Sequence, residues 1–385
     1  MNKSDLFFNV VKFPAKLYYN YLFNINVVKN EMGDYNGPAF FIGNHVAAHD
    51  SQISILYSNR MIRMIAAEVN WQSKFKNIIF NILDIIPIVR SKNDTKAVRR
   101  MKQTVADGHC VGIYPEAERT WDGKTLPILA STSKLAKLLG VPVYCVTTKG
   151  LHLSRPRWSL FPRSGKVDVY IEKVLSKEQV QFLKKNEIQA FLEEALVYNE
   201  FEWQKDNMVV FKGKRRAEGI ERLLYVCESC EAINAIKSKM DHFSCLKCEK
   251  QYTVNKYGFI EGSDRFDNTA SWNEWQKTYI DRIIDNGFAF KMKDMKMDIL
   301  QDEKIEQKVD LQFTPSGFNL YFTNERRYVK IDINDIEACN AVFKNQLEIF
   351  ICGVKHNFTF EITKNHMSIV LFEDLLKKLI SRKNC

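Results

Sequence analysis

From residue 38 to about 175, short apolar runs alternate with stretches whose apolar residues recur every three or four positions. The first kind reads as buried strand and the second as amphipathic helix. The pattern predicts strands over 38–43, 62–66, 86–89, 110–114, 141–147 and 167–173, and helices over 50–59, 71–83, 94–107 and 131–139. Gly108 and Gly140 fall where helix C-caps are expected. This alternation predicts an α/β domain with a mostly parallel sheet flanked by helices, closed by a Lys- and Glu-rich helix over about 176–200.

The N-terminus follows another rhythm. Leu6, Phe7, Val10, Val11, Phe13, Leu17, Tyr18, Tyr21, Leu22 and Phe23 interleave with Lys3, Lys12 and Lys16. Spacings of three and four give an amphipathic helical segment with a broad aromatic face. Pro14 is expected to kink it or to divide it into two short helices. Such a segment can lie in a bilayer interface, or it can pack on its own domain. No run reaches the ~18 apolar residues of a membrane span.

Beyond residue 200 the alternation stops. Residues 204–222 read as a basic linker around Lys212, Lys214, Arg215 and Arg216. Cys227-x2-Cys230 and Cys245-x2-Cys248 follow, fourteen residues apart. Two such knuckles can set four thiolates tetrahedrally around one structural zinc, which would make 223–262 a small zinc ribbon. The segment is too polar to fold unaided, so metal binding would supply its folding energy. Tyr252 and the Lys256-Tyr257-Gly258 turn fit the ribbon's last hairpin. Four cysteines close the shell, which leaves His242 outside it and no position open for catalysis. Residues 263–385 read as a β-rich α+β domain: a helix around Trp272 to Ile283, strands over 309–314, 318–322, 328–333, 346–352 and 355–362, and a closing helix over 366–381. A meander of short strands capped by a helix resembles pleckstrin-homology-like domains. The Arg326-Arg327-Lys330 cluster would then be a candidate contact for phospholipid heads.

Composition narrows the class. The chain has 385 residues, enough for more than one domain, and 45% hydrophobic content, enough for ordinary cores. Its formal charge of +10 favours polyanionic partners, either nucleic acid or an anionic lipid surface. Nine cysteines without a secretory signal point to a reducing, cytoplasmic setting.

The chemistry concentrates in one motif. The apolar run 40–43 stops at Asn44-His45, and Asp50 follows five residues after the histidine. A carboxylate so placed can hold one imidazole nitrogen and leave the other to take a proton from a hydroxyl. Three more blocks follow: Ile85-Ile86-Pro87-Ile88-Val89-Arg90, Val111-Gly112-Ile113-Tyr114-Pro115-Glu116-Ala117-Glu118-Arg119-Thr120, and Gly140-Val141-Pro142-Val143-Tyr144-Cys145-Val146. Together they resemble the glycerolipid acyltransferases, which include the 1-acyl-glycerol-3-phosphate acyltransferases, over residues 1–203. The chain departs from that pattern at Ala47, where a small hydroxyl residue is usual, at Ala117 and Glu118, where Gly and Thr are usual, and at Cys145, where a second proline is usual.

The resemblance implies an O-acyltransferase that moves a fatty acyl group from acyl-CoA or acyl carrier protein to a lysophospholipid. It implies His45 as general base and Asp50 as its orienting partner. Arg119, then Arg90, would bind the acceptor phosphate, and Glu116 would bind a glycerol hydroxyl or hold Arg119. Backbone amides in the turn after His45 are candidate oxyanion donors. Zinc and the acyl carrier are the only cofactors implied, with no redox or nucleotide cofactor. The location implied is peripheral, on the inner face of the cell membrane. A rival reading is a zinc-ribbon nucleic-acid-binding or regulatory protein built on an inactive acyltransferase domain. The intact His45–Asp50 pair argues against it, and nucleic acid is not an expected partner.

Overall fold

The computed structural model describes residues 3–67, 74–88, 94–300, 304–322, 324–342, 345–351, 358–361 and 367–383. The chain forms two compact units, one of Met1–Pro156 with Pro162–Lys212 and one of Arg157–Phe161 with Gly213–Cys385.

The first unit is mixed α/β. Its elements in chain order are α1 (Lys3–Phe23), β1 (Ile25–Asn30), β2 (Phe40–Gly43), α2 (Asp50–Tyr57), β3 (Ile62–Ala67), α3 (Lys74–Ile82), β4 (Ile86–Ile88), α4 (Thr95–Ala106), β5 (Cys110–Ile113), α5 (Ser131–Leu139), β6 (Val143–Lys149), α6 (Leu151–Ser154), β7 (Val167–Leu175), α7 (Lys177–Phe182), α8 (Lys185–Leu196) and α9 (Glu200–Asn207). The sheet order is β1-β7-β6-β2-β5-β3-β4. All neighbours are parallel except β6 and β7.

Both faces of the sheet are covered, which is why its central strands read as unbroken apolar runs. Alternate residues go to opposite faces. Phe40, Ile42, Val143 and Cys145 pack with Met101 of α4, Leu139 of α5 and Leu192 of α8. Phe41, Tyr144 and Val146 pack with Phe8 and Phe23 of α1 and Ile53 and Leu56 of α2. Each such fully buried side chain contributes about 1.5–3 kcal/mol. Gly140 caps α5 in the left-handed conformation at φ 64°, as its place in the sequence predicts.

Four details differ from expectation. The N-terminal segment is one helix with Pro14 inside it, not two short ones. Its first turn is fixed by charge: Arg63 on β3, 1% exposed, meets Asp5 at 3.0 Å and donates to Ser4 Oγ at 3.0 Å. Strand β1 went unread because, as a mostly exposed edge strand, it has no buried face to pattern it. The helix expected over 176–200 is broken into α7 and α8. Leu183 is extended there, Ser176/Gln179 form a capping box at the start of α7, and at the start of α8 Lys184 N donates to Glu187 Oε2 at 2.7 Å. Residues 204–222 are packed rather than strung out. Phe211, Ala217 and Ile220 are fully buried, Arg215 pairs with Glu218, and Arg216 pairs with Asp241 at 2.8 Å.

The second unit begins with β8 (Ile236–Lys239), β9 (His242–Cys245), β10 (Gln251–Val254) and β11 (Ile260–Glu261), an antiparallel sheet in the order β11-β10-β9-β8. Helices α10 (Thr269–Lys277) and α11 (Ile280–Asp285) replace the single helix expected there. Trp272, fully buried, lies against Tyr252 and Phe243 and donates Nε1–H to Val226 O at 2.9 Å. Then come β12 (Phe290–Leu300), β13 (Lys304–Thr314), β14 (Gly317–Phe322), β15 (Arg327–Asp332), β16 (Ile336–Val342), β17 (Gln346–Ile351), β18 (Phe358–Glu361) and α12 (Ile369–Lys383). These strands form one antiparallel sheet, β15-β14-β13-β12-β18-β17-β16. Helix α12 buries Leu371, Phe372, Leu375 and Leu376, with the Phe372 ring 5.2 Å from that of Phe313.

Candidate active site and metal centre

The ends of β2, β5 and β6 carry the motif residues. Asn44 ties β2 to β6: its Nδ2 donates to Thr148 O at 3.0 Å, and its Oδ1 accepts from Thr148 N at 2.9 Å. The chain leaves the sheet here and enters α2 at Asp50. His45 Nδ1 lies 2.7 Å from Asp50 Oδ2. The imidazole is 23% exposed and the carboxyl 2%. Asp50 is therefore a buried anchor and His45 the more exposed member of the pair. Asp50 also accepts from Val46 N at 2.9 Å and Ala47 N at 3.0 Å. Of the amides in the turn after His45, these two are taken up by the Asp50 carboxylate.

Glu116 takes a different place from the one expected. Oε1 accepts from His45 N at 2.7 Å and Oε2 from Leu126 N at 2.8 Å. Both oxygens thus clamp backbone, and burial pushes the carboxyl up to about 8. Ala117, at φ 61°, turns the chain in the left-handed region. Thr120 N then donates to His45 O at 2.9 Å, so the 115–120 turn holds the histidine's backbone from both sides. Arg119 is half-buried beside this turn. Arg90 lies outside the described residues.

Sequence reasoning missed two side chains. Tyr114, at the end of β5, stacks on His45 with ring centroids 4.5 Å apart. The residue lies within the same motif block, next to Pro115, and that adjacency was the available signal. The other is Arg155, at the end of α6, which no motif marks. Burial, then the charge of Arg155, holds His49 below its ordinary pKa; Asp50 opposes this and Arg119 adds to it.

A third group lies in the second unit. The ligand atoms of Cys227, Cys230, Cys245 and Cys248 all lie within 4.8 Å of one another. Cys227 and Cys248 sulfurs are 3.7 Å apart, as are those of Cys230 and Cys245. Tetrahedral thiolates about 2.3 Å from zinc would sit about 3.8 Å apart, so the spacing fits the metal and not a disulfide. Each knuckle has the same turn: Glu231 N donates to Cys227 O and Glu249 N to Cys245 O, both at 2.9 Å. His242 Nδ1 is 2.9 Å from Thr253 Oγ1.

Comparison with known proteins bears on the first unit. The Acyltransferase family model matches residues 24–149. No curated protein matches the chain in sequence. Among solved structures, the 1-acyl-sn-glycerophosphate (LPA) acyltransferase PlsC from Thermotoga maritima is similar at 20% identity and a TM-score of 0.45, over 53% of this chain and 81% of that one. The N-terminal PH domain of human ARAP2 is similar at 16% identity and a TM-score of 0.20, over 25% of this chain and 81% of that one. The Inner Membrane Complex Sub-compartment Protein 3 from Toxoplasma gondii is similar at 13% identity and a TM-score of 0.20, over 29% and 88%. The segment that carries His45, Asp50 and the 115–120 turn is thus an acyltransferase domain of the Acyltransferase family.

Proposed function

We propose that this enzyme transfers a fatty acyl group from acyl-CoA or acyl carrier protein to the free hydroxyl of 1-acyl-glycerol-3-phosphate. The observation that carries this reading is the 2.7 Å contact between His45 Nδ1 and the buried Asp50, within the family-matched segment. Asp50 fixes the tautomer, so Nε2 is the base. As the acceptor oxygen attacks the thioester carbonyl, its proton passes to Nε2 and a C–O bond forms. The tetrahedral intermediate then expels the thiolate, which takes the proton back from the imidazolium as the C–S bond breaks. General-base help of this kind supplies roughly 10²–10⁴ in rate. Arg119 binds the acceptor phosphate, since a guanidinium matches phosphate oxygens two at a time.

Membrane contact falls to α1. Val10, Phe13, Leu17, Tyr18 and Tyr21 are 56–85% exposed on a helix otherwise pinned through Ser4, Phe8 and Phe23. Among the described residues no helix is long and apolar enough to cross a membrane. The exposed apolar and aromatic side chains of α1 would lie on an anionic bilayer surface and bring the enzyme to its lipid substrates. Cys227, Cys230, Cys245 and Cys248 hold a structural zinc, which supplies folding energy and takes no part in catalysis.

The test is purified protein with labelled acyl thioester and a panel of lysolipids, followed by lipid analysis. His45→Ala and Asp50→Ala, folded by thermal melt, should lose acyl transfer. Wild-type turnover by a folded His45→Ala variant would end this reading.

A further inference from the structure

Arg155 is a half-buried cation with no neutralising carboxylate among the described residues. It follows α6, and its guanidinium lies over the Phe23 ring, 5.1 Å from the centroid. Among the described residues no carboxylate pairs with that guanidinium, and burial lowers its pKa. Partial burial costs a cation solvation, and an uncompensated charge in such a place is a site for an incoming anion.

Its neighbours place it beside the reaction centre. The Phe23 ring is 5.1 Å from that of His49, and Tyr19 Oη is 3.4 Å from His49 Nδ1. His49 directly precedes Asp50, whose carboxylate holds His45. Arg119 and Arg155 both act on His49 electrostatically, one from the turn after β5 and the other from the end of α6. The guanidinium of Arg155 thus reaches the His49 imidazole across the Phe23 ring, and the charge of Arg119 bears on the same imidazole, which is joined by a single peptide bond to Asp50.

We infer that Arg119 and Arg155 form a two-guanidinium clamp for one phosphomonoester, with Tyr19 and Phe23 of α1 as its aromatic floor. The inference rests on the phosphate-bearing acceptor proposed above and sharpens it. A phosphomonoester carries close to two negative charges, and two planar forks can neutralise both. A phosphodiester carries one and would leave a guanidinium unmatched. The clamp therefore selects lysolipids whose phosphate is terminal over those whose phosphate is capped by choline or ethanolamine. It also gives α1 a second role, because the helix that meets the lipid surface builds part of the headgroup site.

The experiment compares full-length wild type with Arg155→Gln and Arg155→Lys. The binding probe is a hexanoyl 1-acyl-glycerol-3-phosphate, titrated calorimetrically beside its phosphocholine counterpart. Wild type should bind the monoester well above the diester. Arg155→Gln should weaken monoester binding and raise the acceptor KM about ten- to a hundredfold, with Arg155→Lys between. The KM for acyl-CoA should stay unchanged. Equal monoester binding by wild type and folded Arg155→Gln would overturn the clamp. So would a rise in the acyl-CoA KM alone, or a loss confined to sedimentation with phosphatidylglycerol vesicles, which would make Arg155 a contact for donor or bulk lipid. If wild type transfers no acyl group, the proposed function falls, and the titration still decides the clamp.

Discussion

The imidazole of His45 lies flat on the phenol of Tyr114, with ring planes 17° apart and centroids 4.5 Å apart. Tyr114 is itself fixed, because its Oη meets the Ser54 Oγ at 3.0 Å. Ser54 stands one helical turn after Asp50 on α2, so both side chains share a face of that helix. One short helix thus holds the imidazole edge-on through Asp50 and supports the aromatic plate beneath it through Ser54. Gly43 makes room for the plate: a Cβ there would stand 3.1 Å from Tyr114 Cε1 and 2.8 Å from Val146 O.

If His45 is the base, the plate sets the plane in which Nε2 meets the acceptor hydroxyl. Tyr114→Phe keeps the ring and loses only the hydroxyl's contacts with Ser54 and Ser51, so kcat should stay within about threefold. Tyr114→Leu loses the plate, and kcat should fall about tenfold or more with the acceptor KM little changed, since misaligned reacting groups lose rate rather than affinity. Steady-state kinetics on the two variants checks this. Equal rates for Leu and Tyr at this position would remove the plate from the mechanism.

Ala117 occupies a position that suits glycine. At φ 61° a Cβ meets the neighbouring carbonyl, which costs roughly 1–2 kcal/mol in an L-residue. Glycine relieves that cost and returns part of it as unfolded-state entropy. Ala117→Gly should therefore raise stability by up to about 1 kcal/mol, read as a higher urea midpoint at unchanged slope. Activity should be retained, because Ala117 is exposed and the clamps on His45 run through Glu116 and Thr120.

What the sequence revealed, and what it hid, follows from how far each signal reaches along the chain. The central strands β2, β5 and β6 were legible because burial on both faces leaves an unbroken apolar run. The His45–Asp50 contact was legible because a strand end and the first turn of a helix bring residues five apart together. The role of Glu116 was not: its partners, the backbone amides of His45 and Leu126, lie 71 and 10 residues away, and backbone donors carry no side-chain signature. Arg155 was hidden for the same reason, since Phe23 meets it from the far end of the domain sequence. Strands β12 and β16 were missed in a stretch where polar residues crowd the outward face, whereas the four cysteines announced themselves by spacing alone.

The thiol cluster makes a prediction about the second unit. Its sulfurs gather 3.7 Å apart in pairs, and like-charged thiolates at that distance need a cation between them. Purified protein should carry one zinc per chain by atomic absorption. Cys230→Ser or Cys245→Ser should lose it, and cobalt exchange should give the thiolate charge-transfer bands of a tetrahedral site. Chelation should lower the melting temperature, because Trp272 packs on Tyr252 and Phe243 of the same ribbon. Metal-free protein with an unchanged melt would exclude the structural role.

Glu200 sets a pH dependence of stability. It is fully buried, and burial pushes its carboxyl up to about 8. Beside it His152, also buried, is driven down to about 3 and is neutral. This uncharged cluster supports the loop behind the site: Glu200 N donates to Gly123 O and Thr125 N to Tyr198 O, both at 3.0 Å, and the same loop begins at Thr120, which holds His45 O. The sign follows from proton counts. Between the unfolded carboxyl value of 4.5 and about 8, the native state keeps a proton that the unfolded chain has released. Stability then falls as pH rises through that window, with the full contribution present below 4.5 and lost above about 8. Glu116 is raised to about 8 as well and adds a slope of the same sign. Glu200→Gln mimics the protonated acid and has no proton to lose. Unfolding free energies from urea melts at pH 5 to 9 should decline for wild type by an amount on the order of a few kcal/mol and decline less for Glu200→Gln, so that the variant is the more stable protein at pH 9. Parallel curves for the two proteins would show that Glu200 is ionised in the native state, and the neutral cluster behind the His45 loop would have to be redrawn.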